Sequence, residues 1–202
     1  MNRLKKLKKG SAIFVTGTPG TGKTTISSEL ARILHATHIN PAEALSRNGE
    51  LHGWDKRRRT AIAAPARLCR HVLSIASQID TGLIIDSHIM FGLPESTCVK
   101  KVFVLRCHPS SLEKRLKGKG WTRQKIRENL LAEILDICLW DAVETYGERK
   151  ILQIDTTHLT PRAVVEYSIQ QLRTGQFRTG HEVDWLSTLE NERSLERYVK
   201  ST

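Results

Sequence analysis

The chain has 202 residues, of which 39% are apolar, which suits one globular domain with a sizeable core. The formal net charge of +11 favours contact with polyanions such as RNA, although a nucleotide-binding enzyme can also be basic. No segment reaches the roughly 18 consecutive apolar residues of a bilayer span, and the N-terminus lacks the apolar core of a signal peptide. We therefore expect a cytoplasmic protein without a membrane partner.

The first part of the chain alternates between strand and helix patterns. Residues 1–10 form a basic leader, and the apolar run at residues 12–15 predicts a buried strand that leads into a glycine-rich loop. Apolar residues at helical spacing predict helices at residues 24–34 and 61–79. The polar segment between them, residues 36–60, contains glycine and proline and is expected to be irregular.

The same alternation continues to the C-terminal end. Further strands are predicted at residues 82–86, 101–106 and 151–154. Further helices are predicted at residues 110–117, 122–146 and 161–172, and a last one at residues 183–199. Strands that alternate with helices predict an α/β protein, in which a parallel sheet is covered on both faces.

The cysteines do not suggest a metal site. None of them belongs to a Cys-x-x-Cys pair, and a chain of this length with four cysteines is not a disulfide framework. We expect free thiols at Cys69, Cys98, Cys107 and Cys138.

The loop after the first strand carries a phosphate-binding motif, the P-loop, which matches Gly-x₄-Gly-Lys-Ser/Thr. It reads Gly17, Thr18, Pro19, Gly20, Thr21, Gly22, Lys23, Thr24. Glycines let the backbone curl so that several N–H groups point at one phosphate, and the following helix adds its positive dipole end. Lys23 would reach the β- and γ-phosphates of ATP, the Thr24 hydroxyl would bind Mg²⁺, and Thr25 would contact the α-phosphate.

A second element of the site is an acid at the end of an apolar strand. Asp86 follows Leu83, Ile84 and Ile85, and such an acid holds Mg²⁺ directly or through water in many P-loop proteins. The alternative is an aspartate that caps a helix or a turn. His88 lies two residues further, where a histidine taken alone could simply make ordinary loop hydrogen bonds.

Several segments in collinear order, over about residues 11–172, resemble the sixth adenylate kinase isoform family, which includes a coilin-interacting nuclear ATPase and archaeal adenylate kinases. Besides the P-loop, they are Asp86-Ser87-His88, Val102-Phe103-Val104-Leu105-Arg106, the run from Leu112 to Trp121, Lys125-Ile126-Arg127-Glu128-Asn129 and Ala132-Glu133-Ile134.

The resemblance implies a three-layer α/β nucleoside monophosphate kinase that occupies residues 11–175, followed by a charged extension at residues 176–202. Its monophosphate-binding region would be about residues 40–63 and its short lid about residues 118–128. The implied activities are ATP + AMP ⇌ 2 ADP with Mg²⁺ and additional ATP hydrolysis. The implied role is small ribosomal subunit maturation, through a ribosomal protein and rRNA.

The resemblance also implies roles for individual residues. Lys23, Asp86 and His88 would be catalytic. Lys119 falls where the family has a lid arginine that meets ATP, Arg115 could substitute for that arginine, and Arg47 would bind AMP.

The sequence departs from this family at a basic run, Lys56, Arg57, Arg58 and Arg59, in a stretch that is usually acidic and aromatic. The run is either an RNA contact or a solvated loop. The leader is likewise either an RNA-binding arm or a solubilising tail, and the C-terminal extension could dock a partner or fold back. The alternatives to an adenylate kinase are therefore a ribosome-assembly ATPase with little kinase activity, or another small P-loop kinase that acts on cytidylate or a small alcohol.

Overall fold

The computed structural model describes residues 6–49, 54–55, 60–61, 64–174 and 183–199. Its strands are β1 (Ser11–Thr16), β2 (Thr37–Ile39), β3 (Trp54–Asp55), β4 (Thr60–Ala61), β5 (Leu83–Asp86), β6 (Cys98–Arg106) and β7 (Ile151–Asp155). Five of them form a parallel sheet in the order β2-β5-β1-β6-β7, while β3 and β4 pair antiparallel with each other.

Helices connect these strands. They are α1 (Lys23–Leu34), α2 (Pro41–Arg47), α3 (Pro65–Gln78), α4 (Pro109–Lys117), α5 (Arg123–Ile134), α6 (Ile137–Tyr146), α7 (Pro161–Thr174), α8 (Trp185–Asn191) and α9 (Glu196–Val199), with a 3₁₀ turn at Glu148–Lys150. Among the helices that the structure describes, none has both the length and the apolar character needed to cross a membrane.

Both faces of the sheet are covered, which confirms the three-layer α/β prediction. On one face, Phe14 and Val104 pack with Leu68 and Val72 of α3 and with Ala142 of α6. The opposite face belongs to a second cluster, which joins β1 and β6 to helices α1 and α7. A third cluster lies beside the sheet and joins α4, α5, α8 and α9.

The parallel register brings the functional segments to one edge of the sheet. Val15 at the end of β1 pairs with Asp86 at the end of β5, and Thr16 pairs with Val104 of β6. The loop that follows β1 and the acid that ends β5 therefore lie side by side at the carboxyl edge, where open parallel sheets bind ligands.

The prediction of one helix over residues 122–146 was wrong. Helix α5 ends at Ile134 and α6 begins at Ile137, with Asp136 between them in the left-handed conformation at φ 57°. The Asp136 carboxylate accepts a hydrogen bond from Arg106, which is buried at the end of β6. This long-range ion pair stabilises a break that the apolar periodicity does not reveal.

Other boundaries also differ from the predictions. The segment at residues 36–60 contains β2 and α2, and α2 begins at Pro41 because the Asn40 side chain caps it by accepting from the Glu43 N–H. Helix α3 begins at Pro65, since the residue before a proline is driven into extended backbone. The last helix is two short helices, α8 and α9, separated by Arg193 at φ 55°.

Part of the basic leader packs against the domain. The Leu7 N–H donates to the Leu34 carbonyl, the Gly82 N–H donates to the Leu7 carbonyl, and Lys8 forms a bridge with Thr81. Residues 6–10 therefore lie at the amino end of β5, whereas the P-loop lies at the carboxyl edge of the sheet. Residues 1–5 and the basic run at residues 56–59 lie outside the described residues.

Candidate nucleotide-binding site

All three glycines of the P-loop have a positive φ, and Gly17 and Gly22 show how the loop is shaped. Gly17 has a φ of 133°, and a Cβ atom there would lie 2.3 Å from the Leu105 carbonyl oxygen, so only glycine lets the loop pass β6. Gly22 has a φ of 104° and is the N-cap of α1, and among the described residues a Cβ atom there would have no neighbour within 4 Å. The start of α1 thus faces open space, as an anion-binding helix N-terminus requires.

Lys23 holds its ammonium inside this loop. The side chain is buried, and Nζ donates to the Gly17 carbonyl at 2.8 Å and to the Thr18 carbonyl at 3.3 Å. Burial lowers the pKa of Lys23, while the negative charge of Asp86 opposes that shift. Two backbone carbonyls of the loop therefore hold the Lys23 ammonium inside it.

Asp86 and Thr24 form the second part of the site. The Thr24 hydroxyl donates to Oδ2 of Asp86 at 2.7 Å, and Asn40 Nδ2 donates to the same oxygen at 3.2 Å. Burial alone would raise the pKa of Asp86, but the His38 ring, 3.8 Å away, the Thr24 hydroxyl and the Lys23 charge together lower it. Asp86 is therefore an ionised, buried carboxylate at neutral pH.

These residues fit a magnesium ion. Oδ1 of Asp86 is buried and has no hydrogen-bond partner among the described residues, so it is available to a metal ion or a water molecule. A carboxylate and a hydroxyl are the oxygen donors that Mg²⁺ prefers, and it normally completes its shell with water and substrate phosphates. The described part of the chain contains no group of three His, Cys, Asp or Glu side chains that could hold a metal.

The predicted lid region contributes two cations. The Lys119 charge lowers the pKa of the Lys23 ammonium. Its effect is smaller than that of burial or of the Asp86 charge. Lys125, which the site prediction did not include, acts in the same direction on His88. Their Nζ atoms lie 5.8 Å and 4.1 Å from the centre of the Trp121 ring. Lys119 in the loop before α5 and Lys125 in the first turn of α5 therefore place positive charge near the P-loop and His88.

His88 lies at the edge of this site and exposes its side chain. The surrounding protein, followed by the Lys23 and Lys125 charges, lowers the pKa of His88, and Asp86 opposes this only in part. The ring keeps contact with solvent, so its burial is incomplete. Partial burial and the two nearby cations nevertheless all lower the pKa of His88. The imidazole is therefore neutral at pH 7.

The structure separates the two predicted arginines. Arg115 donates to the Thr156 carbonyl at 2.9 Å, and Thr156 in turn donates to the Thr21 carbonyl at 3.2 Å, so Arg115 lies beside the P-loop. Arg47, on α2, is exposed and pairs with Glu43, and no described contact connects it to the P-loop. Pro19 and Gly20 are half-buried in the P-loop, and Thr25 is exposed on the first turn of α1.

A buried acid behind the P-loop was also missing from the predicted site. Glu133 of α5 accepts a hydrogen bond from the Thr18 hydroxyl at 2.6 Å, across 115 positions of sequence. The only signal for it in the sequence was its place in a segment that resembles the adenylate kinase family, which gave it no role. Asn40 and His38 were missed because they lie in the polar segment that was expected to be irregular.

The chain is similar in sequence to several known proteins. Residues 13–136 match a family described as the AAA domain. A “Putative adenylate kinase” from Pyrococcus abyssi is 32% identical over 173 residues, which cover 86% of this chain and 90% of that protein. A protein of the same name from Archaeoglobus fulgidus is 33% identical over 196 residues, or 93% of this chain and 98% of that protein. A third, from Natronomonas pharaonis, is 36% identical over 154 residues, or 76% and 85%.

Solved structures share the fold. A gluconokinase from Sinorhizobium meliloti has a TM-score of 0.52 at 15% identity, over 83% of this chain and 94% of that chain. A sugar kinase from Janibacter has a TM-score of 0.51 at 16% identity, over 81% and 94%. At such low identity the likeness shows the α/β fold alone. The chain belongs to the AAA-domain family by its family match, and by its sequence relatives to the family of proteins named putative adenylate kinases.

Proposed function

We propose that this chain is an ATP-dependent nucleoside monophosphate kinase, specifically an adenylate kinase that converts ATP and AMP to two ADP. The observation that carries the proposal is the arrangement around Asp86, where a buried carboxylate with a free Oδ1 meets the Thr24 hydroxyl beside the Lys23 ammonium. The names of the sequence relatives support adenylate kinase over other phosphotransferases.

Phosphoryl transfer leaves the protein little covalent chemistry, so catalysis depends on position and charge. The N–H groups of the P-loop and Lys23 would hold the β- and γ-phosphates of ATP. Thr24 and Asp86 would hold Mg²⁺, which when bound neutralises charge on those phosphates. Lys119 and Arg115 would add positive charge from the lid side, and Arg47 would meet the phosphate of AMP.

His88 would act on the acceptor side. A neutral imidazole donates from one ring nitrogen and accepts at the other, so it can orient the attacking phosphate oxygen through its N–H or a water molecule through its other nitrogen. The short lid carries Lys119, which lacks the planar donor fork of an arginine. We therefore expect incomplete exclusion of water and measurable ATP hydrolysis when no acceptor is present.

The test is turnover of ATP and Mg²⁺ with AMP, with other nucleoside monophosphates, and with no acceptor. AMP should stimulate ADP formation most, and Lys23→Met should abolish both transfer and hydrolysis. Lys100→Met is the matched control, because Lys100 is exposed on β6. Normal ATP turnover by Lys23→Met would show that the site is assigned wrongly, and stimulation by cytidylate or a small alcohol instead of AMP would identify another kinase.

A second candidate, a ribosome-assembly ATPase, is favoured by the net charge of +11 and by a basic depression on the surface. Lys6, Lys8 and Lys9 of the leader line this depression together with Leu7, His35, Thr81 and one acid, Asp80, which pairs with Lys9. Binding to rRNA through these lysines would weaken steeply with salt, because phosphate contacts release counterions. Salt-sensitive rRNA binding that Lys6→Glu with Lys8→Glu abolishes would support this role, and ATP turnover indifferent to AMP would favour it over the kinase.

A further inference from the structure

Glu133 is the centre of a buried polar cluster behind the P-loop. Its Oε2 accepts from the Thr18 hydroxyl at 2.6 Å. Its Oε1 accepts from Arg106 Nε at 2.9 Å, from the Cys107 N–H at 3.0 Å and from Trp185 Nε1 at 2.9 Å. The side chain is 2% exposed, so every one of these bonds is made away from water.

The charge of this carboxylate is balanced by Arg106. The guanidinium is itself 2% exposed and also donates to the Gln153 side chain, to the Glu133 carbonyl and to Asp136. A buried carboxylate with a paired cation and four donors has little freedom to move, because any displacement would leave buried groups without partners. The cluster is therefore a rigid support, and among the described residues its hydrogen bond to the P-loop is the one from Thr18.

The C-terminal segment supplies one of the four donors. Trp185 begins α8, is 6% exposed and packs edge-on against His108 with ring centres 5.2 Å apart. Leu189 and Tyr198 from the same segment join the apolar cluster of α4 and α5. The described part of the extension, residues 183–199, thus folds back onto the domain.

We infer that Glu133 is a positioning residue for the P-loop, and that the C-terminal segment acts on nucleotide binding through the bond from Trp185 to Glu133. The inference rests on the proposed ATP site. Thr18 lies between Gly17 and the turn of the loop, so a shift of its side chain displaces the N–H groups that would meet the phosphates. The C-terminal extension is on this account part of the nucleotide site, although Trp185 lies more than 160 positions along the chain from Thr18.

The test uses the full chain and measures the ATP dissociation constant by calorimetry in the presence of Mg²⁺. Thr18→Val removes the hydroxyl but keeps the shape of the side chain, and should weaken ATP binding about fivefold to tenfold, the equivalent of one buried hydrogen bond. Thr18→Ser keeps the hydroxyl and should stay within about twofold of the wild type. Trp185→Phe should weaken binding about threefold to fivefold, while Trp140→Phe, at an exposed tryptophan, is the control and should have no effect.

The double variant distinguishes positioning from general stability. If Thr18 and Trp185 act through the same carboxylate, Trp185→Phe should have no further effect on ATP affinity in the Thr18→Val background. The inference would be overturned if the two losses of ATP affinity multiply in the double variant. It would also be overturned if Thr18→Val and Trp185→Phe each bind ATP as tightly as the wild type. A wild type that does not bind ATP would instead contradict the proposed function.

A measurement on the unmodified protein guards against a variant that does not fold. Coupling between two sites is reciprocal, so ATP should slow amide hydrogen exchange in residues 183–199 as well as in the P-loop. Protection confined to the P-loop would count against the coupling.

Discussion

The replacement of Asp86 by asparagine tests the proposed magnesium site. In the wild type the Thr24 hydroxyl donates to Oδ2 of Asp86 at 2.7 Å, and asparagine keeps one oxygen that can accept this bond. It loses the negative charge and the free Oδ1 carboxylate oxygen. Metal-mediated charge stabilisation is worth several kcal/mol, so we expect a loss on the order of 3–4 kcal/mol, or about 10²–10³-fold in kcat. The Mg²⁺ concentration needed for half-maximal activity should rise as well.

The assay is ADP formation from ATP and AMP, titrated with Mg²⁺ and expressed per folded protein, because removal of the anion also leaves the buried Lys23 ammonium less compensated. Asp80→Asn is the matched control, since that aspartate is exposed and pairs with Lys9 at the opposite edge of the sheet. The control should keep wild-type kinetics. An Asp86→Asn enzyme with a kcat within about threefold of the wild type and an unchanged Mg²⁺ requirement would refute the reasoning.

Three further predictions concern single residues. Gly17→Ala should lower the free energy of unfolding by about 1–3 kcal/mol and abolish ATP binding, as checked by denaturation and calorimetry, because its Cβ would lie 2.3 Å from the Leu105 carbonyl oxygen. Burial lowers the pKa of Lys101 from 10.5 to about 8, although its ammonium donates to the Arg149 carbonyl. The unfolded chain therefore holds this proton more tightly, and stability due to Lys101 rises with pH between those two values. At pH 7, Lys101→Met should have a higher thermal midpoint than the wild type. This difference should shrink as the pH rises from about 8 to 10.5. Lys119→Arg should lower the ratio of ATP hydrolysis to transfer to AMP, measured with and without AMP, since arginine restores a planar donor fork in the lid.

The P-loop and Asp86 could be predicted from the sequence because each depends on a contiguous segment. The glycine spacing before Lys23 encodes the curl of the backbone, and an apolar run that ends in an acid encodes a buried strand with its carboxylate at the sheet edge. The parallel sheet then brings the two segments together, as the register of Val15 with Asp86 shows. Local patterns were sufficient to place the loop and the acid side by side.

The contacts that were missed are long-range. Glu133 contacts the P-loop through the hydroxyl of Thr18, 115 positions away, and no periodicity reports such a pair. The helix break at Asp136 depends on Arg106 in the same way. Asn40 looked like a loop residue, whereas it caps α2 and also donates to Asp86.

The decisive measurement is calorimetric titration of the folded, full-length chain with ATP and with ADP, each in the presence and absence of Mg²⁺. The arrangement of loop amides, Lys23, Thr24 and Asp86 predicts saturable heat for both nucleotides, tighter ATP binding with the metal, and loss of that heat in Lys23→Met. A folded protein that gives no heat with either nucleotide would contradict the account.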